Sequence, residues 1–307
     1  MKKYILVVFL MLTAGFIAYI HKSAVPIEDL KIKYTDEHSH FIELNGLEVH
    51  YKQKGSGMPI ILIHGTSSSL HTWGKWENEL SKHYTTYSID MQGGGLTSPP
   101  ENNDYSITSY IELIDAFVLA LEIDSFHLAG NSLGGHTAWS YVANSVNADK
   151  VKKLILVDPS GFFDKEREKP FVFQLAQVDF LFTYIEKINI DPFVKKSLNE
   201  VFYNHALVTG ELVQRYCDLN SREGNRKAFF YKVRQIETGK KSDLQKITCP
   251  TLILWGENDA WIPLSISDIF VTNIPNNQLI VYPECGHVPM EEKAAESVAD
   301  VLNFLSK

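Results

Sequence analysis

Cysteine is scarce in this chain: Cys217, Cys249 and Cys285 are the whole supply, widely spaced and without a Cys-x-x-Cys pair. A disulfide-stapled scaffold is excluded, and no zinc-binding spacing is present. Basic runs are lacking as well. With a formal net charge of -8 at pH 7 and no long Lys/Arg stretch, the chain offers a nucleic-acid backbone no electrostatic attraction, so no nucleic-acid partner is expected. The glycine-rich stretch Gly93-Gly94-Gly95 is not followed by Gly-Lys-Ser/Thr, and no Gly-x-Gly-x-x-Gly opens a helix. A nucleotide cradle is therefore not indicated, and no cofactor or metal is expected. No internal repeat or low-complexity segment occurs.

One long hydrophobic run is present. Residues 4–20 are almost unbroken apolar, preceded by Lys2-Lys3 and followed by His21-Lys22. As a helix the run would rise about 25 Å, at the short end of a membrane span but longer than the core of a secretory signal. Residues 1–22 are read as an uncleaved membrane anchor, with a cleaved signal peptide as the alternative. Basic residues before the run and acidic Glu28 and Asp29 soon after it place the N-terminus in the cytoplasm and the rest of the chain outside. Cleavage would instead give a secreted or periplasmic product. Residues 23–39 are mixed and charged and read as a surface linker.

From residue 40 onward, strand and helix patterns alternate. Residues 41–44 and 47–51 flank Asn45-Gly46, which suits a tight hairpin turn. Residues 59–63, 84–89, 153–158 and 250–255 are apolar or rich in β-branched residues, as expected of strands covered on both faces, and a short buried strand opens at Phe126. Residues 278–282 repeat the strand pattern. Helical spacing covers residues 73–80, 110–121, 134–144 and 294–305. Between residues 162 and 243 aromatic and charged residues mix with helical periodicity. That stretch is read as an inserted helical cap on a core of residues 40–161 and 244–307. The fold class is α/β, with a mostly parallel sheet covered on both sides.

The apolar strand that opens at Phe126 runs directly into Gly130-Asn131-Ser132-Leu133-Gly134. A Gly-x-Ser-x-Gly in that context places Ser132 on a sharp strand-to-helix turn, its hydroxyl above the sheet. In such sheets ligands bind beyond the carboxyl ends of the strands. Three other strand ends carry candidates: Thr66 in His64-Gly65-Thr66, Asp259 in Gly256-Glu257-Asn258-Asp259, and His287 in Cys285-Gly286-His287. A serine hydroxyl needs an imidazole to take its proton, and the imidazole needs a carboxylate to fix its tautomer. Asp259 is the favoured carboxylate; Asp158, also at a strand end, is its rival.

These landmarks, together with the Asp90-to-Gly95 turn, resemble the α/β-hydrolase-fold serine hydrolases over residues 40–307. The resemblance implies an eight-stranded sheet with a helical cap, Ser132 as nucleophile, His287 as general base and then acid, and Asp259 as the orienting acid. It also implies an oxyanion hole from the backbone N–H groups of Thr66 and Leu133, while His64 shapes the oxyanion loop. A carboxylic-ester hydrolase of esterase or lipase type is favoured, with a small ester or lipid as substrate. The alternatives on the same triad are a carbon–carbon bond hydrolase and a cofactor-free peroxidase. Carbon–carbon hydrolases of this fold commonly carry tryptophan after the histidine, where this chain has Val288. A binding module without catalysis is the alternative of another class.

Overall fold

The computed structural model describes residues 21–164 and 168–307. The strands are β1 (Ser39–Leu44), β2 (Leu47–Gly55), β3 (Pro59–Ile63), β4 (Thr85–Ile89), β5 (Phe126–Asn131), β6 (Val151–Val157), β7 (Thr251–Gly256) and β8 (Asn277–Tyr282). They form one eight-stranded sheet in the order β1-β2-β4-β3-β5-β6-β7-β8. Only the β1–β2 and β2–β4 pairings are antiparallel. The hairpin turns at Asn45 and Gly46, both with positive φ (52° and 78°), as a primed turn requires.

The central strands are apolar on both faces because helices cover both. Ile61, Ile63, Leu128, Leu154 and Ile253 face one core, with Phe117, Trp139 and Phe270. Ile60, Leu62, Ala129, Ile155 and Leu252 face the other, with Trp73, Trp76 and Val301. Trp73 and Trp76 are therefore core residues, and Trp76 Nε1 donates to Ser297 Oγ at 2.9 Å. The helices of this framework are α1 (Ile27–Tyr34), α2 (Gly74–Leu80), α3 (Ile107–Ala120) and α4 (Leu133–Asn144), followed after the insertion by α11 (Ser267–Asn273), α12 (Pro289–Glu292) and α13 (Ala294–Leu305). Ser106 caps α3 by accepting from the N–H of Ser109.

Helices α5 (Phe171–Leu175), α6 (Asp179–Tyr184), α7 (Asp191–Val201), α8 (Gly210–Asn220), α9 (Asn225–Arg234) and α10 (Lys241–Leu244) lie between β6 and β7. They have a small core of their own, in which Ala176, Ile185, Phe230 and Val233 are buried against Phe173, Phe182 and Phe229. This cap is also fastened to the sheet: Lys232 of α9 is buried and donates to the carbonyl of Gly93 at 2.8 Å. Burial brings the pKa of Lys232 down to about 7.

Residues 23–39 differ from the expected linker. They contain α1, whose Leu30 is buried against Leu96 and Leu219. Val25 forms a bridge with Arg222 and His21 one with Ile188. The expected anchor run at 4–20 lies outside the described residues, and among those described no helix is long and apolar enough to cross a membrane.

Candidate active site

The turn after β5 is a tight one. Ser132 has φ 54° and ψ -117°, a conformation that costs a non-glycine residue on the order of 1–3 kcal/mol. It persists because its neighbours leave no alternative. The Ser132 N–H donates to the carbonyl of Val157 on β6 at 3.1 Å, and its own carbonyl accepts from His136 and Ser160. A Cβ on Gly130 would lie 2.1 Å from the Gly134 carbonyl oxygen, and one on Gly134 would lie 2.2 Å from that of Ile63. Strand, turn and helix can approach this closely only with glycine at both positions.

His287 sits on the loop after β8, and its Nδ1 is 2.6 Å from Asp259 Oδ2. Both side chains are buried. Asp259 is held in turn by the backbone N–H groups of Trp261 and Ile262, which donate to its Oδ1 at 2.7 and 2.9 Å. With Nδ1 committed to a carboxylate, the imidazole presents Nε2 outward, and that atom has no hydrogen-bond partner among the described residues. Ser132 and His287 both line the same cavity. The bond between the Ser132 hydroxyl and His287 Nε2 is not made here; such bonds are commonly long in unliganded sites and tighten around substrate.

Of the two candidate carboxylates, Asp259 and not Asp158 is the one paired with His287. Asp158 lies beside that pair: it is fully buried with φ 43°, and its Oδ1 accepts from the Gly256 N–H at 3.0 Å. Burial, reinforced by the adjacent Asp259 charge, raises its pKa well above the usual carboxylate range. A proton on Asp158 gives its otherwise unpartnered Oδ2 a bond to donate toward Asp259. Ligand atoms of Asp158, Asp259 and His287 lie within 4.8 Å of one another, a spacing that could hold a metal. Both oxygens of Asp259 are already engaged, Oδ2 by His287 and Oδ1 by the N–H groups of Trp261 and Ile262.

Thr66 lines the cavity, and Leu133 opens α4 directly after the serine. Their loop and turn are in contact: a Cβ on Gly65 would lie 3.0 Å from Ser132 Cβ. His64 supports this loop as a neutral ring, since Nδ1 faces the Gly65 carbonyl at 2.7 Å and Nε2 accepts from the Met91 N–H at 3.0 Å. Burial keeps its pKa below the ordinary histidine value. Asp90 anchors the glycine-rich turn by accepting from the N–H groups of Leu70 and Leu96 at 2.8 and 2.9 Å and by pairing with His50 Nδ1 at 2.7 Å.

Sequence reasoning missed Asn131. Its amide donates to the carbonyls of Val157 and His287, both at 3.1 Å, joining the serine turn to the histidine loop.

Above these residues the cap encloses a cavity of about 380 Å³ with almost wholly apolar walls, including Leu175, Leu181, Ile185, Phe193, Val194 and Phe229. Arg226 also reaches the wall. Its guanidinium donates to the carbonyls of Lys22, Ser23 and Glu186. Most of the other cap aromatics build its interior or face outward.

Residues 58–294 match the family model for the alpha/beta hydrolase fold, and the chain belongs to that family and is a hydrolase of that fold. Curated proteins of two kinds are similar to it. It is 28% identical over 272 residues to 2-hydroxy-6-oxo-2,4-heptadienoate hydrolase of Pseudomonas putida, covering 85% of this chain and 94% of that one. It is likewise 28% identical over 256 residues to monoacylglycerol lipase ABHD6 of Mus musculus, covering 80% and 75%. Among solved structures it resembles a membrane phospholipase A described as a bacterial virulence factor. That match has a TM-score of 0.77 and 26% identity, and covers 100% of this chain and 98% of that one.

Proposed function

We propose that this hydrolase cleaves carboxylic esters of apolar acyl groups through an acyl-enzyme intermediate. The observation that carries the reading is that His287, paired with Asp259, lines one apolar cavity together with Ser132. In this mechanism His287 Nε2 accepts the Ser132 proton as Oγ attacks the acyl carbon. The oxyanion is met by the N–H groups of Thr66 and Leu133, each such donor being worth about 2.7–4 kcal/mol. The protonated imidazole then gives its proton to the leaving alcohol. Water, activated by the same nitrogen, releases the acid and restores Ser132.

The second reading, carbon–carbon hydrolysis, is supported by the dienoate hydrolase among the relatives. A dienoate carries a carboxylate that its pocket must receive. Here the apolar wall and Arg226, largely occupied by backbone carbonyls, favour an acyl chain, as does Val288 after His287. The run at 4–20 is read as a membrane tether with the catalytic domain outside the cytoplasm, in keeping with the membrane phospholipase among the structural relatives.

Rates across nitrophenyl esters of increasing acyl length test the reading. A peak at medium or long chains, abolished by Ser132→Ala, supports it. No ester turnover, together with cleavage of a dienoate, would overturn it in favour of the second.

A further inference from the structure

We propose that the outer face of the cap, carrying Phe171, Val178, Phe180 and Tyr184, rests on a lipid bilayer, so that an acyl substrate enters the cavity from the membrane. The proposal rests on the reading of this chain as a tethered ester hydrolase. Helices α5 and α6 bury none of their residues fully. Phe180 is 71% exposed, Tyr184 50%, Val178 44% and Phe171 41%. Phe180 and Tyr184 pack against each other, their rings tilted by 49° with centroids 5.0 Å apart. Scattered exposed apolar residues are ordinary, but an aromatic cluster on one short segment marks an interaction surface.

The position of the N-terminal chain identifies the partner. His21 bridges to Ile188, the Lys22 N–H donates to the Lys187 carbonyl at 3.0 Å, and Lys22 Nζ pairs with Asp191 at 2.7 Å. The Arg226 guanidinium binds the carbonyls of Lys22 and Ser23 from the other side. The chain is thereby fixed to the cap just past Tyr184, at the point where the apolar run 4–20 ends in the sequence. A run of that length and composition in a membrane brings this part of the cap to the lipid surface, where phenylalanine and tyrosine partition favourably. The cavity and this face share Phe171, which is 41% exposed and also lines the cavity. Leu181, Ile185 and Ile188 line it as well. The Lys196 ammonium lies over the Phe171 ring, 4.1 Å from its centroid, so an acyl chain entering beside Phe171 passes one cation before it reaches the apolar wall.

The test uses the full chain reconstituted in phosphatidylcholine vesicles. A fluorophore is attached at Phe180→Cys and, in a second variant, at Val146→Cys. Val146 is 92% exposed and lies past the end of α4 remote from Ser132. Lipids bearing a nitroxide just below the headgroup should quench the label at 180 and leave the label at 146 unaffected. In parallel, Phe180→Gln/Tyr184→Gln should lower hydrolysis of a long-chain ester embedded in vesicles by about 10-fold or more. Hydrolysis of a short soluble ester should stay within about 2-fold of wild type. Equal quenching at both positions, or no quenching at 180, would overturn the proposal. A label at 180 that is shielded without lipid in proportion to protein concentration would assign the face to a second copy of the chain. An equal loss on both esters would make the pair structural. If wild type hydrolyses neither ester, the ester reading fails, and the quenching result still decides the docking face.

Discussion

The backbone N–H of His287 donates to the carbonyl of Val201 at 2.8 Å, tying the histidine loop to the last residue of α7 in the cap. A Cβ on the preceding Gly286 would lie 2.2 Å from that same carbonyl oxygen. Glu292 reinforces the junction, accepting from the N–H groups of Gly286, Tyr203 and Asn204 at 3.1, 3.0 and 2.8 Å. The cap and the His287 loop are thus positioned as one unit. Gly286→Ala should force them apart and lower kcat about 100-fold, read by steady-state kinetics on a soluble ester. Circular dichroism should show the fold retained. A variant with wild-type kcat would show that the junction has no bearing on the chemistry.

The two buried aspartates should behave oppositely. Asp259→Asn removes the charge on which the imidazole relies and should lower kcat by about 10³- to 10⁴-fold. Asn at 158 can still accept from the Gly256 N–H and donate toward Asp259, as a protonated carboxyl does. Asp158→Asn should therefore stay within about 10-fold of wild type. Equal losses for the two variants would contradict the assignment of Asp259 as the partner of His287.

Asp90 gives the fold a defined acid sensitivity. Burial opposes its ionisation, but the bond to His50 and the nearby His50, His64 and His71 rings together outweigh burial and bring its pKa down to about 2. The unfolded value is near ~3.9, so the contribution of about 2–3 kcal/mol is fully present above that value and lost as pH falls toward 2. Urea unfolding of wild type should weaken across this interval, and Asp90→Asn should be weaker at neutral pH and flatter with acid. Parallel curves for the two proteins would refute the account.

The sheet was legible in the sequence because β3, β5, β6 and β7 are short apolar runs, a pattern that burial on both faces produces. The site residues could be read because each of them follows a strand. The choice between Asp158 and Asp259 could not be settled this way, since both do. Asn131 was hidden for a different reason: its partner carbonyl at His287 is 156 residues away, and no local pattern records that contact. In α1 only Leu30 is fully buried, so no periodic apolar face marked the helix inside an otherwise charged stretch. The short cap helices, such as α5 and α6, span too few turns for periodicity to define them.

The account rests most directly on Ser132 as the atom that takes the acyl group. Acid-quenching the protein during turnover of a nitrophenyl ester, digesting it and reading the peptides by mass spectrometry tests this point. The prediction is an acyl adduct on Ser132, absent from Ser132→Ala and accumulating in His287→Ala only at a strongly reduced rate. Sustained ester hydrolysis by Ser132→Ala, or an adduct on another residue of the wild-type chain, would contradict it.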